Sequence, residues 1–140
     1  MTPITISAEI RWSDIDPNFH VLHSKYYDYC ANARMLVLEQ KGITMQQIQQ
    51  FQIGPVLLRE ECVFRRELKF GDAIEIKIMM QKATPDFSRW SFINEIWKNK
   101  DTLAAIVTVD GAWMDVIKRK LVAPPELFQQ VFAQIPKAEN

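Results

Sequence analysis

The chain has 140 residues, 17 basic and 17 acidic side chains, a formal net charge of zero and an apolar share of 48%. That is the length of one ordinary domain with its own hydrophobic core, and the balanced charge removes any global pull toward nucleic acid or an anionic membrane. No run approaches the roughly 20 apolar residues that span a bilayer, and no zinc-finger, RNA-reading, Gly-rich phosphate, HExxH or GxSxG motif occurs.

The first predicted element is a strand over residues 5–12, with Ile6, Ala8, Ile10 and Trp12 on one face. The opening "MTPITISAEIRW" lacks the basic region and apolar run of a signal peptide. Cys30 and Cys62 have no CxxC or Cys/His spacing and read as buried small hydrophobes. Both features lead to the expectation of a cytoplasmic protein. Residues 14–18 break the strand, because Asp and Asn favour local backbone bonds and Pro17 keeps Asp16 out of the helical region.

A helix is predicted from about Ser24 to Lys41, with Ser24 or a neighbouring turn residue at its start and Gly42 as a left-handed stop. At 100° per residue, Lys25, Asp28, Asn32 and Glu39 occupy a sector about 60° wide. The rest of the circumference is almost wholly apolar, so this helix should be enclosed over most of its girth. After "ITMQQIQQF", a short helix or connection, four strands are predicted over residues 54–65, 72–81, 88–97 and 102–115. The second alternates cleanly, with Ile74, Ile76, Ile78 and Met80 facing one way. Turns at 71–72, 85–86 and 98–101 punctuate them, and Gly111 is a candidate bulge in the last. Phe128, Val131, Phe132 and Ile135 recur at helical spacing, predicting a short C-terminal helix on an exposed part of the body.

A one-faced sheet must bury its apolar side. The order strand, helix, four strands therefore predicts a single α+β domain over 1–140, a strongly bent antiparallel sheet wrapped around the long helix. Exposed sheet edges favour a homodimer or homotetramer. Trp90, Phe92, Trp97 and Trp113 are read as core or subunit-interface residues.

The stretch "RWSDIDPNFHVLHSKYY", the "ANAR" of the following helix and "RRELKFGDAIEI" at 65–76 together resemble the hotdog-fold acyl-CoA thioesterases, the superfamily that includes 4-hydroxybenzoyl-CoA thioesterases and short acyl-CoA thioesterases. The likeness covers nearly all of residues 5–117. It implies a hotdog fold. No cofactor is expected, and the spacing of His20 and His23 with only two carboxylates nearby is a weak metal signature, so no metal is expected either. The likeness aligns Asp16 with the catalytic acid, Tyr26 with the aromatic near the helix start, Arg34 with the helix arginine, and Gly71 and Asp72 with the turn before the third strand. One departure stands out: Phe19 occupies the place of the motif's glycine, where a positive φ is costly for a side chain. If the turn forms, Phe19 is a candidate wall of the acyl pocket together with His20 and Tyr26.

Thioester hydrolysis needs a base for water and donors facing the oxygen that gains charge. Asp16 is the candidate general base, and the backbone N–H groups of Leu22, His23 and Ser24 at the positive end of the helix are the candidate oxyanion donors. Asp16 also reads as a turn acid capping its own loop, and Asp14 as a local capping residue. His20 and His23 are candidates to orient water or contact the thioester, Tyr26 to contact substrate or close the pocket mouth. Arg34 is expected to tie the helix to the sheet or a partner subunit. Lys82, Arg89 and Lys98 are the candidate contacts for the phosphates of coenzyme A, Arg89 the preferred one. The expected partner is an acyl-CoA, with an acyl carrier protein as second candidate. The competing reading is a noncatalytic acyl-thioester binder or structural protein of the same fold, and a related dehydratase is a third.

Overall fold

A computed structural model describes residues 2–139. In chain order the elements are β1 (Ile4–Ala8), a 3-10 turn at Trp12–Asp14, α1 (His23–Gln40), α2 (Met45–Gln50), β2 (Ile53–Phe64), β3 (Ile74–Ala83), β4 (Arg89–Lys98), β5 (Thr102–Asp115), β6 (Lys120–Leu121) and α3 (Glu126–Ala133). The sheet runs β1-β3-β4-β5-β2, antiparallel throughout, with β6 as a two-residue addition to β5. It curls around α1 in the hotdog arrangement.

Sequence pattern accounts for most of this. In β3 Ile74, Ile76, Ile78 and Met80 are buried, while Glu75, Lys77 and Met79 are partly exposed. The inward face meets α1 through Tyr26, Tyr29, Cys30, Ala33, Val37 and Leu38. Asp28, Asn32 and Glu39 are exposed as their sector requires, and Leu36 is the apolar exception on the open side. Gly42 stands at φ 99° past the helix end, where a Cβ would be strained.

Several expectations are corrected. β1 ends at Ala8, four residues early, because the chain turns to present Asp14 inward; Trp12 is 69% exposed and stacks edge-on with Phe70. Ser24 is inside α1 rather than at its cap, since Lys25 N–H already bonds the Leu22 carbonyl at 2.9 Å. The extra residue near Gly111 lies on the other strand: Leu57 pairs with Gly111 and Arg59 with Asp110, leaving Leu58 unmatched on β2. Glycine is required at 111 for a different reason, because a Cβ there would stand 2.2 Å from Cη2 of Trp90. Finally, α3 is part of the core. Phe128 and Phe132 are fully buried against Trp113, and Phe132 also meets Trp90 and Phe92.

Candidate active site

The segment between the 3-10 turn and α1 is built by two aspartates with different duties. Asp14 is buried, and its Oδ2 accepts from the Tyr29 hydroxyl at 2.7 Å and from Arg11 N–H at 3.1 Å, while Arg11 Nη2 lies 3.2 Å from Oδ1. Burial alone would raise this carboxyl's pKa; the bonds from Tyr29 and Arg11 outweigh it and hold the group below its usual value. Burial and then the Asp14 carboxylate push the Tyr29 hydroxyl well above the usual range, so it stays a donor. The Asp14 carbonyl also accepts Leu22 N–H at 2.8 Å, and Val21 N–H bonds the Leu68 carbonyl at 2.8 Å. These bonds clamp the entrance of α1 to the body.

Asp16 closes the intervening turn. Its N–H bonds the His20 carbonyl and its carbonyl accepts Phe19 N–H, both at 2.9 Å, while Oδ1 accepts from Asn18 N–H at 2.9 Å and more weakly from His20 N–H at 3.4 Å. Oδ2 carries no hydrogen bond among the described residues. Phe19 adopts φ 67°, so the turn forms despite the missing glycine, at a cost of roughly 1–2 kcal/mol. Phe19 is 75% exposed and does not line the cleft beside Asp16, which departs from its expected place in the pocket wall.

That cleft, about 340 Å³, is lined by Asp16, His20, His23 and Tyr26 from the turn and α1, and by Phe64, Arg65, Arg66 and Glu67 at the end of β2. His20 Nε2 lies 3.0 Å from Glu67 Oε2, which orients the ring. The buried Tyr26 oxygen accepts Leu68 N–H at 3.2 Å, and its ring meets Phe64 edge-on at 4.9 Å. Burial raises the Tyr26 pKa, so the hydroxyl keeps a proton to donate. Of the three expected oxyanion donors, Leu22 is withdrawn because its N–H is spent on Asp14. The N–H groups of His23 and Ser24 meet no acceptor among the described residues, as the first turn of a helix dictates, and they carry the positive end of the α1 dipole.

The expected coenzyme A contacts divide. Lys82 and Arg89 line one cavity of about 420 Å³ with Leu58, Ser91 and Asp110. Lys98 lies at the other end of β4, roughly 30 Å away along the strand. Its Nζ donates to the Glu67 carbonyl at 2.6 Å and lies 3.9 Å from Asp72, so it is removed from that group. Gly71, at φ 98°, and Asp72 form a turn: the Asp72 carboxylate accepts from Lys69 N–H and from the Asn99 amide. Sequence reading passed over Arg65, Arg66 and Glu67 as site residues, although the "RRE" before the turn was a legible cluster of charge. No group of three potential metal ligands exists among the described residues, and no described helix is long and apolar enough to cross a membrane. Cys30 and Cys62 are free thiols pushed up to about 12 and about 11 by burial.

A family model described as the thioesterase-like superfamily matches residues 10–132. A curated Aquifex aeolicus protein named "Putative esterase" is 24% identical over 90 residues, 64% of this chain and 67% of its own. Among solved structures, a 1,4-dihydroxy-2-naphthoyl-CoA thioesterase from Synechocystis superimposes with a TM-score of 0.84 at 17% identity, covering 94% of this chain and 96% of that one. A Staphylococcus aureus protein solved in complex with CoA gives a TM-score of 0.89 at 17% identity, covering 100% of this chain and 90% of its own.

Proposed function

Because this chain belongs to the thioesterase-like superfamily, we propose that it hydrolyses an acyl-CoA thioester to the free acid and coenzyme A. The observation that carries this reading is the single cleft shared by Asp16, His20, His23, Tyr26 and the open end of α1. Asp16 Oδ2 takes a proton from water, and the water oxygen attacks the thioester carbon. The N–H groups of His23 and Ser24 receive the oxygen as it gains charge, each such donor contributing about 2.7–4 kcal/mol in comparable sites. The C–S bond then breaks, and the departing thiolate takes the proton held by Asp16. His20, held by Glu67, and the Tyr26 hydroxyl position the water and the acyl group. Arg65 and Arg66 at the mouth of this cleft contact the phosphates, while Lys82 and Arg89 line a separate cavity toward the opposite end of β4. The CoA complex of the Staphylococcus aureus protein and the thioesterase from Synechocystis support the choice of thioester.

We further propose a homo-oligomer built on β2. This strand is an edge of the sheet, and Leu57, Leu58, Val63 and Phe64 on it are about half exposed. A soluble cytoplasmic setting and a single domain over 1–140 belong to the same reading.

A second reading, thioester binding without turnover, is favoured by one observation: Asp16 Oδ1 is already occupied by the turn's own N–H groups. A hydrolysis panel of short, long and aromatic acyl-CoAs, read by thiol release beside direct binding, separates the two. Turnover of any panel member supports hydrolysis; saturable binding with no thiol released selects the noncatalytic protein.

A further inference from the structure

Exposed aromatic residues gather on the loops beside the Asp16 cleft. Trp12, on the turn after β1, and Phe70, on the loop before β3, meet edge-on at 6.0 Å, and both are more than half exposed. Phe19 is exposed as well, in the adjoining turn, which the bond from Val21 N–H to the Leu68 carbonyl holds against the same loop. Burial in the core accounts for none of the three, and Phe19 keeps its side chain where glycine would stand without strain. Cations flank them. Arg11 and Lys69, each preceding one of the paired aromatics, are exposed. Asp14 lies buried beneath Arg11, so the guanidinium faces outward. The acids of the 65–73 loop are engaged: Glu67 meets His20 at 3.0 Å, and Asp72 accepts from Lys69 N–H and the Asn99 amide. Arg65 and Arg66 carry the positive rim on to the cleft.

The patch belongs to the β1 and β3 side of the sheet, away from the β2 edge assigned to a second copy of the chain. Its aromatics stand on turns and loops, which offer no strand edge to another protein, and none of the three lines a described cavity. Loop-borne Trp and Phe beside Lys and Arg suit the boundary of an anionic bilayer, where rings reach the acyl chains while cations stay with the lipid phosphates.

We propose that this end of the molecule docks on an anionic phospholipid surface, with Trp12, Phe19 and Phe70 entering the headgroup boundary and Arg11 and Lys69 meeting lipid phosphates. The docking is peripheral and independent of thioester hydrolysis, and its test involves no turnover. The full-length protein is co-sedimented with vesicles of phosphatidylcholine alone and of phosphatidylcholine mixed equally with phosphatidylglycerol, and its fluorescence is followed with a lipid brominated in the acyl chain. Trp12 is the reporter, because Trp90 and Trp113 are buried and Trp97 lies under Lys77. Mixed vesicles bind at least about tenfold more tightly than neutral ones, added salt weakens the binding, and the bromine quenches Trp12. Phe70→Ser and Lys69→Glu each weaken binding to mixed vesicles by about tenfold. Phe19→Gly also weakens it, and since this change relieves backbone strain, the loss does not come from unfolding. Equal binding to both kinds of vesicle, or binding unchanged in all three variants, overturns the proposal. So does the absence of vesicle binding, which is also the result if an acidic protein covers the patch.

Discussion

Two aspartates two residues apart meet opposite surroundings, and each carries its own prediction. Asp14 is buried and anchored, with its pKa lowered, so it contributes stability that is present above its unfolded value of about 3.9 and is lost as pH falls through the folded one. Tyr29→Phe, which removes its strongest partner, destabilises by about 1–3 kcal/mol at pH 7 and moves the acid loss to higher pH, as urea titrations across pH 2–7 would register. No change in either would mean that Tyr29 does not hold the carboxylate. Phe19 tests the turn itself. Phe19→Gly relieves the left-handed strain and exposes no core, so it stabilises by a net of order 1 kcal/mol after glycine's own entropy cost. A loss of stability would reveal a contact made by the ring. The place of the missing glycine was legible in "DPNFH"; where the ring points was not, because the turn's orientation on the body depends on Asp14, Leu22 and Leu68.

At the level of elements, alternation and helical spacing located every main strand and helix, since burial on one face leaves a period in the sequence. They did not say what covers that face. α3 reads locally as a helix resting on the exterior, yet its apolar stripe closes the core over Trp113, a contact between segments about 15 residues apart with β6 between them. Ile10 and Trp12 continue the β1 period, but the inward pull of Asp14 and its bonds to Arg11 and Tyr29 ends the strand first. Gly111 was legible as special and mistaken in cause, because the ring of Trp90 comes from the adjacent strand β4. Gly111→Ala therefore forces Trp90 out of its place. We expect a loss of about 1–3 kcal/mol in chemical denaturation; a variant as stable as the parent would contradict the close approach.

For the whole molecule, the free β2 edge predicts assembly. Sedimentation of the protein should give a dimer or larger species, and Leu58→Lys on that edge should shift it toward monomer. A wild-type monomer at tens of micromolar would remove the β2 interface. The candidate catalytic residues were legible as a cluster in one motif, while Arg65 and Arg66 needed the curl of the sheet to bring the end of β2 to the mouth of the same cleft. Lys98 parts from Lys82 and Arg89 for the converse reason, since a strand of ten residues separates charges that are close only in sequence pattern, and its ammonium stands instead beside Glu67 at the Asp16 cleft. The central claim is that the free oxygen of Asp16 activates water at the open end of α1. Its most direct test is single-turnover hydrolysis of an accepted acyl-CoA by wild type and Asp16→Asn, with CoA affinity measured on both. Turnover falling by about 10²–10⁴-fold at unchanged affinity is the predicted result, and hydrolysis at the wild-type rate by the folded variant would contradict it.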